Sequence, residues 1–213
     1  MKPKILLADD HKIVLEGLKS LLADRFEIVG AVENGRALVE AAERLRPHVV
    51  VADISMPLLN GIEAVRQIKR SDPDTKVILL TMHPDLAYAA RGFDAGASGY
   101  VLKHSAPSEL LTAIEEALKG RTYVTPIIAG DLLDSYRQGT VLPKQDVVRK
   151  LTPRQREILQ LLAEGYSAKE ISSHLGISAR TVEFHKYRMM EHLEIKTSAE
   201  LVHYAIKQGI VSV

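Results

Sequence analysis

Three aspartates follow two apolar runs in the chain, and their positions predict that they meet at one site. Asp9 and Asp10 come directly after residues 4–8, and Asp53 comes directly after residues 49–52. Both runs have strand composition and precede helical patterns, so their carboxyl ends should share one edge of a parallel sheet. Three carboxylates at one edge repel one another unless a divalent cation lies among them. The sequence therefore predicts an acidic, metal-binding site at this edge.

Two further strand ends add a hydroxyl and an ammonium to the same edge. Thr81 ends one apolar run and Lys103 follows the next. A carboxylate can attack phosphorus to form an acyl phosphate, a reaction that depends mainly on positioning and on neutralising charge. Asp53 is the better nucleophile because it stands alone, whereas the adjacent Asp9 and Asp10 suit Mg²⁺. Lys103 and Thr81 would contact phosphoryl oxygens.

The elements that must position these side chains follow from apolar spacing. Strands are predicted at 4–8, 26–31, 48–52, 76–81 and 99–102, and helices at 11–23, 35–45, 61–70, 85–94 and 107–119. The strands show little polar alternation, which is typical of a parallel sheet that is buried on both faces. Residues 1–120 are therefore predicted to form an α/β domain with a doubly wound, five-stranded parallel sheet.

Composition indicates two ordinary globular domains. The chain has 213 residues, of which 46% are apolar and 26% charged, and it has no cysteine, which excludes disulfides and cysteine-based metal sites. Residues 1–120 carry a net charge of −2 and residues 149–213 a net charge of +3, which weakly indicates nucleic acid as a partner of the second part. No run resembles a signal peptide or reaches membrane-spanning length, so we expect a cytoplasmic protein without membrane contact.

Residues 151–213 show four short helical patterns and no strand. Three hydroxyl residues each stand three positions before Gln or Glu, as in a capping box: Thr152–Gln155, Ser167–Glu170 and Thr197–Glu200. The helices at 168–175 and 179–192, joined by three residues, have helix-turn-helix spacing. Between the two domains, residues 121–150 are predicted to be a helical linker, with a helix at 126–137 followed by a linker stretch at 138–144.

The second helix of such a motif enters the DNA major groove. In this helix Val182, Met189 and Leu193 should face the domain core. The polar and aromatic residues left for its outer faces are Arg180, Glu183, Phe184, Lys186, Tyr187 and Arg188. An ordinary solvated helix face is the alternative interpretation of these charges.

The motifs of residues 1–120 resemble the receiver domain of bacterial two-component response regulators, which has a flavodoxin-like fold. The motifs are 8–10, 53–61, 80–81 and 96–103. The resemblance implies that Asp53 accepts a phosphoryl group from a histidine of a sensor kinase. It also implies Mg²⁺ held by Asp10 and Asp53, with Asp9 in support and the backbone carbonyl of Ser55 as a further ligand.

The same resemblance implies a switch and two tuning positions. Thr81 would move toward the phosphoryl group while the Tyr100 ring turns inward behind it. Ser55 and His83 occupy the positions that tune the lifetime of the phosphoryl group in the family. The alternative for His83 is an ordinary solvated loop residue.

Residues 151–213 resemble the LuxR-type (NarL/FixJ) DNA-binding domain through 151–159, 164–171 and 175–185. The resemblance implies double-stranded DNA as ligand, with base edges near Glu183, Phe184 and Tyr187, and phosphates near Lys169, Arg180, Lys186 and Arg188. Many relatives carry Lys where this chain has Glu183. The Glu183 carboxylate could accept a hydrogen bond from a cytosine amino group, but its negative charge weakens the attraction to phosphates. Leu201, Val202 and Ala205 resemble scaffold and dimer-surface positions, and plain core packing is the alternative.

Together these features predict a phosphorylation-controlled transcription factor that forms a homodimer when Asp53 is phosphorylated. The family resemblance also allows RNA polymerase as a partner. One alternative is a phosphorylation-independent regulator whose receiver serves as a dimerisation module. The other is a phosphohydrolase with an aspartate nucleophile, which is disfavoured because no general acid or substrate cap is visible. Beyond self-phosphorylation from phosphodonors and slow dephosphorylation, we expect no enzymatic activity.

Overall fold

The structure, a computed structural model, describes residues 2–105, 107–137 and 151–211. They form two compact units, one on each side of segment 138–150. The predicted linker stretch at 138–144 lies outside the described residues. Within the described ranges, no helix has both the length and the apolar character needed to cross a membrane.

The first unit is a parallel sheet with helices on both faces. Its strands are β1 (Lys4–Ala8), β2 (Glu27–Val32), β3 (Val49–Ala52), β4 (Lys76–Thr81), β5 (Gly99–Leu102) and β6 (Tyr123–Val124), in the order β2-β1-β3-β4-β5-β6. The helices between them are α1 (Lys12–Leu22), α2 (Gly35–Leu45), α3 (Gly61–Ser71), α4 (Leu86–Ala95) and α5 (Pro107–Leu118). The predicted α/β doubly wound fold is confirmed.

The central strands explain why the sequence shows apolar runs rather than alternation. Every residue of β3 is buried, as are the last four of β1 and the last five of β4. Alternate side chains enter two separate cores, one that includes Leu6 and Val50 and one that includes Leu7 and Val51. A strand that is covered on both faces has no solvent side on which polar residues could be placed.

The prediction of five strands is wrong by one. β6 pairs with β5 in parallel, and the residue after it, Thr125, donates its backbone N–H to the Tyr100 carbonyl oxygen at 3.0 Å. The Thr125 hydroxyl oxygen accepts the Leu102 N–H at 3.1 Å. The following helix α6 (Pro126–Arg137) has the predicted bounds and buries Ile128 in the same core as Tyr100. A strand of two residues is too short for periodicity to reveal.

Within its described residues, the second unit contains helices joined by turns and no strand. Its helices are α7 (Pro153–Ala163), α8 (Ala168–Leu175), α9 (Ala179–His192) and α10 (Ser198–Lys207), which confirms the predicted four-helix domain. α8 ends at Gly176, whose φ of 62° lies in the left-handed region that glycine adopts without strain. The predicted helix-turn-helix pair, α8 and α9, has the expected bounds.

The helix starts in this unit are fixed by side-chain caps. Capping boxes are present at Thr152 and Ser167, as predicted. At α10 the Thr197 side chain accepts the Glu200 N–H, but Glu200 accepts from the backbone of Lys196 instead of returning to Thr197. Each cap satisfies backbone donors that the first helical turn leaves without partners.

Candidate functional site

The acidic residues predicted to meet at one sheet edge do meet there. β1 and β3 are neighbours with Ala8 opposite Ala52, so the next residues along each strand lie side by side. Carboxylate oxygens of Asp9, Asp10 and Asp53 lie within 4.8 Å of one another, together with a ring nitrogen of His11. The side chains of Asp9 and Asp53 are almost fully buried, whereas Asp10 is exposed.

Lys103 lies between the two buried carboxylates. Its Nζ is 2.7 Å from Asp9 Oδ2 and 2.8 Å from Asp53 Oδ2, and only 12% of its side chain is exposed. Burial alone would lower the pKa of Lys103, but hydrogen bonds to and the charges of Asp53 and Asp9 outweigh it and raise the pKa above its ordinary value. The ammonium is therefore a permanent positive charge beside Asp53 at neutral pH.

The loop after Asp53 is shaped to hold this carboxylate in place. The Ile54 N–H donates to Asp53 Oδ1 at 2.7 Å. A Cβ on Gly61 would lie 2.1 Å from the Asp53 backbone oxygen, so only glycine allows this close approach. Asn60 caps α3 by accepting the Glu63 N–H. The Asn60-Gly61 pair therefore brings the start of α3 against the backbone of Asp53.

The composition of the acidic cluster fits a hard divalent cation. The oxygens of three carboxylates lie close together in it. Mg²⁺ prefers oxygen ligands and retains part of its water shell. His11, which sequence reasoning missed, has its Nδ1 2.8 Å from Asp10 Oδ1 and 3.3 Å from Asp9 Oδ1. Its position next to Asp10 in the chain was the only available signal.

The predicted switch residues, Thr81 and Tyr100, are both fully buried. Both side chains form hydrogen bonds with the backbone of His83. The His83 N–H donates to Thr81 Oγ1 at 3.2 Å, and the Tyr100 hydroxyl donates to the His83 carbonyl oxygen at 2.7 Å. Burial, followed by the charge of Asp85, raises the pKa of Tyr100, so its hydroxyl stays protonated. The backbone of the loop after β4 therefore connects the two predicted switch residues.

His83, in the loop after β4, is half-buried and makes specific side-chain contacts. Its Nε2 lies 2.9 Å from Ser55 Oγ, and its ring stacks on Tyr88 of α4 with centroids 4.4 Å apart and planes 7° from parallel. The structure thus joins the two residues at the predicted tuning positions directly. Tyr88 was missed because no local pattern indicates which helix residue will face a remote loop.

The outer face of α9 presents aromatic and charged side chains. Phe184 and Tyr187 are 56% and 65% exposed, and Arg180 is also exposed. Lys169, on the preceding helix α8, is exposed as well. The Arg188 guanidinium lies over the Phe184 ring, 5.5 Å from its centroid. Two large aromatic side chains exposed together with cations on one helix face are typical of a binding surface.

Lys186 and Glu183, two of the residues expected to contact DNA, lie close to each other. Lys186 is only 20% exposed, and its Nζ lies 3.9 Å from Glu183 Oε2. Glu183 therefore offsets part of the positive charge that Lys186 would present. The remaining cations, Arg180 and Arg188, are the more accessible ones on this helix.

The core of the second unit contains most of the predicted residues. Val182 and Met189 are buried, and Leu193 is half-buried. Leu201 and Ala205 are fully buried, so they pack in the core of their own domain, while Val202 is half-buried. Core packing is thus the correct interpretation for Leu201 and Ala205.

Comparisons with known proteins agree with both units. Residues 5–115 match the family model described as response regulator receiver domain, and residues 149–205 match the model described as bacterial regulatory proteins, luxR family. The chain is 37% identical to the transcriptional regulatory protein MctR of Rhizobium johnstonii, over 99% of this chain and 96% of that protein. It is 36% identical to the oxygen regulatory protein NreC of Staphylococcus carnosus, over 98% of this chain and 99% of that protein.

A solved structure resembles the chain over nearly its whole length. It is RcsB from Salmonella enterica serovar Typhimurium bound to promoter P1flhDC in the presence of the phosphomimetic BeF3-, with a TM-score of 0.61, 31% identity, and coverage of 96% of this chain and 98% of that one. The relatives are transcriptional regulators rather than enzymes. The chain therefore belongs to the DNA-binding response regulators of two-component systems, with a receiver domain followed by a LuxR-type helix-turn-helix domain.

Proposed function

We propose that phosphorylation of Asp53 by a sensor histidine kinase controls dimerisation of this regulator and its binding to operator DNA. The observation that carries the proposal is the position of Lys103, which contacts both Asp9 and Asp53 at the end of the sheet. An ammonium held 2.8 Å from a buried carboxylate is placed to neutralise a phosphoryl group that forms on it.

The reaction needs few chemical groups. Asp53 Oδ attacks the phosphorus of the kinase phosphohistidine, the P–N bond breaks, and the electron pair returns to the imidazole. The product is an acyl phosphate on Asp53. Since the transferred group carries spread negative charge, the protein contributes mainly positioning and charge neutralisation. Lys103 supplies the charge, and Thr81 supplies a hydroxyl for a phosphoryl oxygen.

Mg²⁺ is the proposed cofactor, held by Asp10 and Asp53, with Asp9 in support and the backbone carbonyl of Ser55 as a further ligand. The supporting observation is the close approach of the carboxylates of Asp9, Asp10 and Asp53. When bound, the cation offsets the repulsion among these groups and the charge of the incoming phosphoryl oxygens. Asp10 is exposed, which leaves room for water ligands.

Contacts within the first unit connect the site to the end of the receiver. Tyr100 lies on β5, whose backbone bonds to Thr125 at the start of α6. A movement of Thr81 and Tyr100 would therefore also displace the start of α6, the last described helix before the DNA-binding domain. The phosphoryl group can shift the balance between two states only by its differential affinity for them.

Double-stranded DNA is the proposed ligand of α9. Glu183, Phe184 and Tyr187 are proposed to face the base edges. The cations proposed to contact phosphates are Lys169, Arg180, Lys186 and Arg188. One small domain with a net charge of +3 has limited electrostatic attraction for DNA, so pairing of two copies on two half-sites would supply the missing affinity. RNA polymerase is a further proposed partner, and the DNA target implies a cytoplasmic location.

The test is labelling of the full chain with acetyl phosphate and Mg²⁺, followed by selection of bound genomic fragments. We expect one phosphoryl group per chain on the wild type, none on Asp53→Asn, and tighter operator binding by the labelled protein. Label that persists on Asp53→Asn would refute the assignment of the phosphoacceptor. Equal operator affinity with and without beryllofluoride would instead favour a receiver that serves only as a dimerisation module.

A further inference from the structure

We propose that Ser55, His83 and Tyr88 form a clasp beside Asp53, and that Tyr88 is a positioning residue that keeps this clasp closed. The closed clasp slows hydrolysis of the phosphoryl group on Asp53. The inference rests on the proposed phosphorylation of Asp53 and adds a residue on α4 to the control of its lifetime.

The hydrogen bond between Ser55 and His83 closes the clasp. Ser55 stands two residues after Asp53 and His83 two residues after Thr81, so each belongs to one of the loops that border the site. The 2.9 Å contact between Ser55 Oγ and His83 Nε2 connects these loops through side chains. Both residues are partly buried, so the bond competes only in part with water.

The backbone of His83 is held independently of this bond. Its N–H donates to Thr81 Oγ1 and its carbonyl oxygen accepts the Tyr100 hydroxyl. With both backbone groups engaged, the main freedom left to His83 is rotation of its side chain. The ring could then either reach Ser55 or turn away into solvent.

Tyr88 opposes that rotation. Its ring lies parallel to the His83 ring at 4.4 Å, and the Arg91 guanidinium lies over the Tyr88 ring, 5.6 Å from its centroid. The Tyr88 ring thus contacts both the His83 ring and the Arg91 guanidinium. An aromatic pair of this kind favours one ring orientation over others, and here that orientation is the one that meets Ser55.

The chemical consequence concerns water. Hydrolysis forms a P–O bond to a water oxygen and breaks the P–O bond to Asp53, which regenerates the carboxylate and releases inorganic phosphate and a proton. Water attacks on the side of phosphorus opposite Asp53 Oδ. The loops that carry Ser55 and His83 follow Asp53 and Thr81 directly, so both loops border the phosphoryl group. A closed clasp leaves less room there for the attacking water.

The experiment measures how long label stays on the full chain after acetyl phosphate is removed, with Mg²⁺ present. For Tyr88→Ala we expect a half-life shorter by about two- to tenfold, as expected when an aromatic pair is lost. Tyr88→Phe keeps the stacked ring and should retain the wild-type half-life. His83→Ala should shorten the half-life at least as much as Tyr88→Ala.

The double variant Tyr88→Ala/His83→Ala separates positioning from a general structural effect. If Tyr88 acts through His83, the double variant decays at the rate of His83→Ala alone. An additional acceleration in the double variant, or a wild-type half-life for Tyr88→Ala, would overturn the inference. Should Tyr88→Ala fail to fold, Tyr88→Leu removes the planar ring with less loss of volume and carries the same expectations. Wild-type protein that takes up no label at all would refute the phosphorylation of Asp53 itself, and the clasp with it.

Discussion

Replacing Lys103 with methionine should destabilise the receiver because it leaves buried carboxylates without their cation. Lys103 Nζ lies 2.7 Å from Asp9 Oδ2 and 2.8 Å from Asp53 Oδ2, and these two carboxylate side chains are 1% and 5% exposed. Methionine keeps much of the length and volume of the side chain and removes its charge. The cluster then holds three carboxylates and no ammonium.

The magnitude follows from the two distances. At an effective dielectric constant of about 20, each close pair attracts by about 6 kcal/mol. Desolvation of the three groups offsets a large part of this attraction, and removing one partner of a buried ion pair costs about 3–5 kcal/mol in practice. We therefore expect the free energy of unfolding of the first unit to fall by about 3–5 kcal/mol without Mg²⁺.

The assay is urea unfolding followed by circular dichroism, in EDTA and again in excess Mg²⁺. Mg²⁺ should recover more stability in Lys103→Met than in the wild type, because the ammonium no longer competes for carboxylate oxygens. If Lys103→Met binds Mg²⁺ tenfold more tightly than the wild type does, excess Mg²⁺ reduces the difference in unfolding free energy between the two proteins by about 1.4 kcal/mol.

The matched control is Lys119→Met. Lys119 Nζ lies 3.1 Å from Glu116 Oε1, but 55% of its side chain is exposed, so its loss should cost less than about 1 kcal/mol. The reasoning would be refuted if the two variants lost equal stability in EDTA. It would also be refuted if Mg²⁺ left the gap between Lys103→Met and the wild type unchanged.

Three further predictions test other parts of the molecule. Thr125→Val should lower the free energy of unfolding by about 1–3 kcal/mol, because the buried Leu102 N–H loses its acceptor, whereas Thr125→Ser should stay near the wild type in the same urea titration. Gly61→Ala should abolish acetyl phosphate labelling, because its Cβ would lie 2.1 Å from the Asp53 backbone oxygen. The control Gly17→Ala in α1 meets nothing within 4 Å and should gain about 0.5–1 kcal/mol of stability. Full labelling of Gly61→Ala would contradict this reasoning. Arg180→Ala should weaken binding to all DNA sequences and lower the slope of log affinity against log salt by about 1, while Lys207→Ala on α10 leaves both unchanged.

Local patterns determined the elements of both domains. The bounds of β1, β4 and β5 match the predictions because both-sided burial requires continuous apolar runs, which a sequence shows directly. The caps at Thr152 and Ser167 were predictable for a similar reason, since a cap involves residues only three positions apart. The meeting of Asp9, Asp10 and Asp53 was also predictable, because parallel strands place their carboxyl ends at one edge.

Contacts between side chains remote in sequence were decided only by the tertiary structure. The position of Lys103 between Asp9 and Asp53, and the stack of Tyr88 on His83, depend on how the loops and α4 pack onto the sheet. β6 is held by hydrogen bonds to β5 rather than by a pattern of its own. Burial periodicity specifies which face of an element is inside, but not which residue of another element it meets. The sequence therefore determined the chemistry of the site. The contacts that we propose to govern the lifetime of the phosphoryl group on Asp53 depend on how α4 and the loops pack against the sheet, so only the tertiary structure shows them.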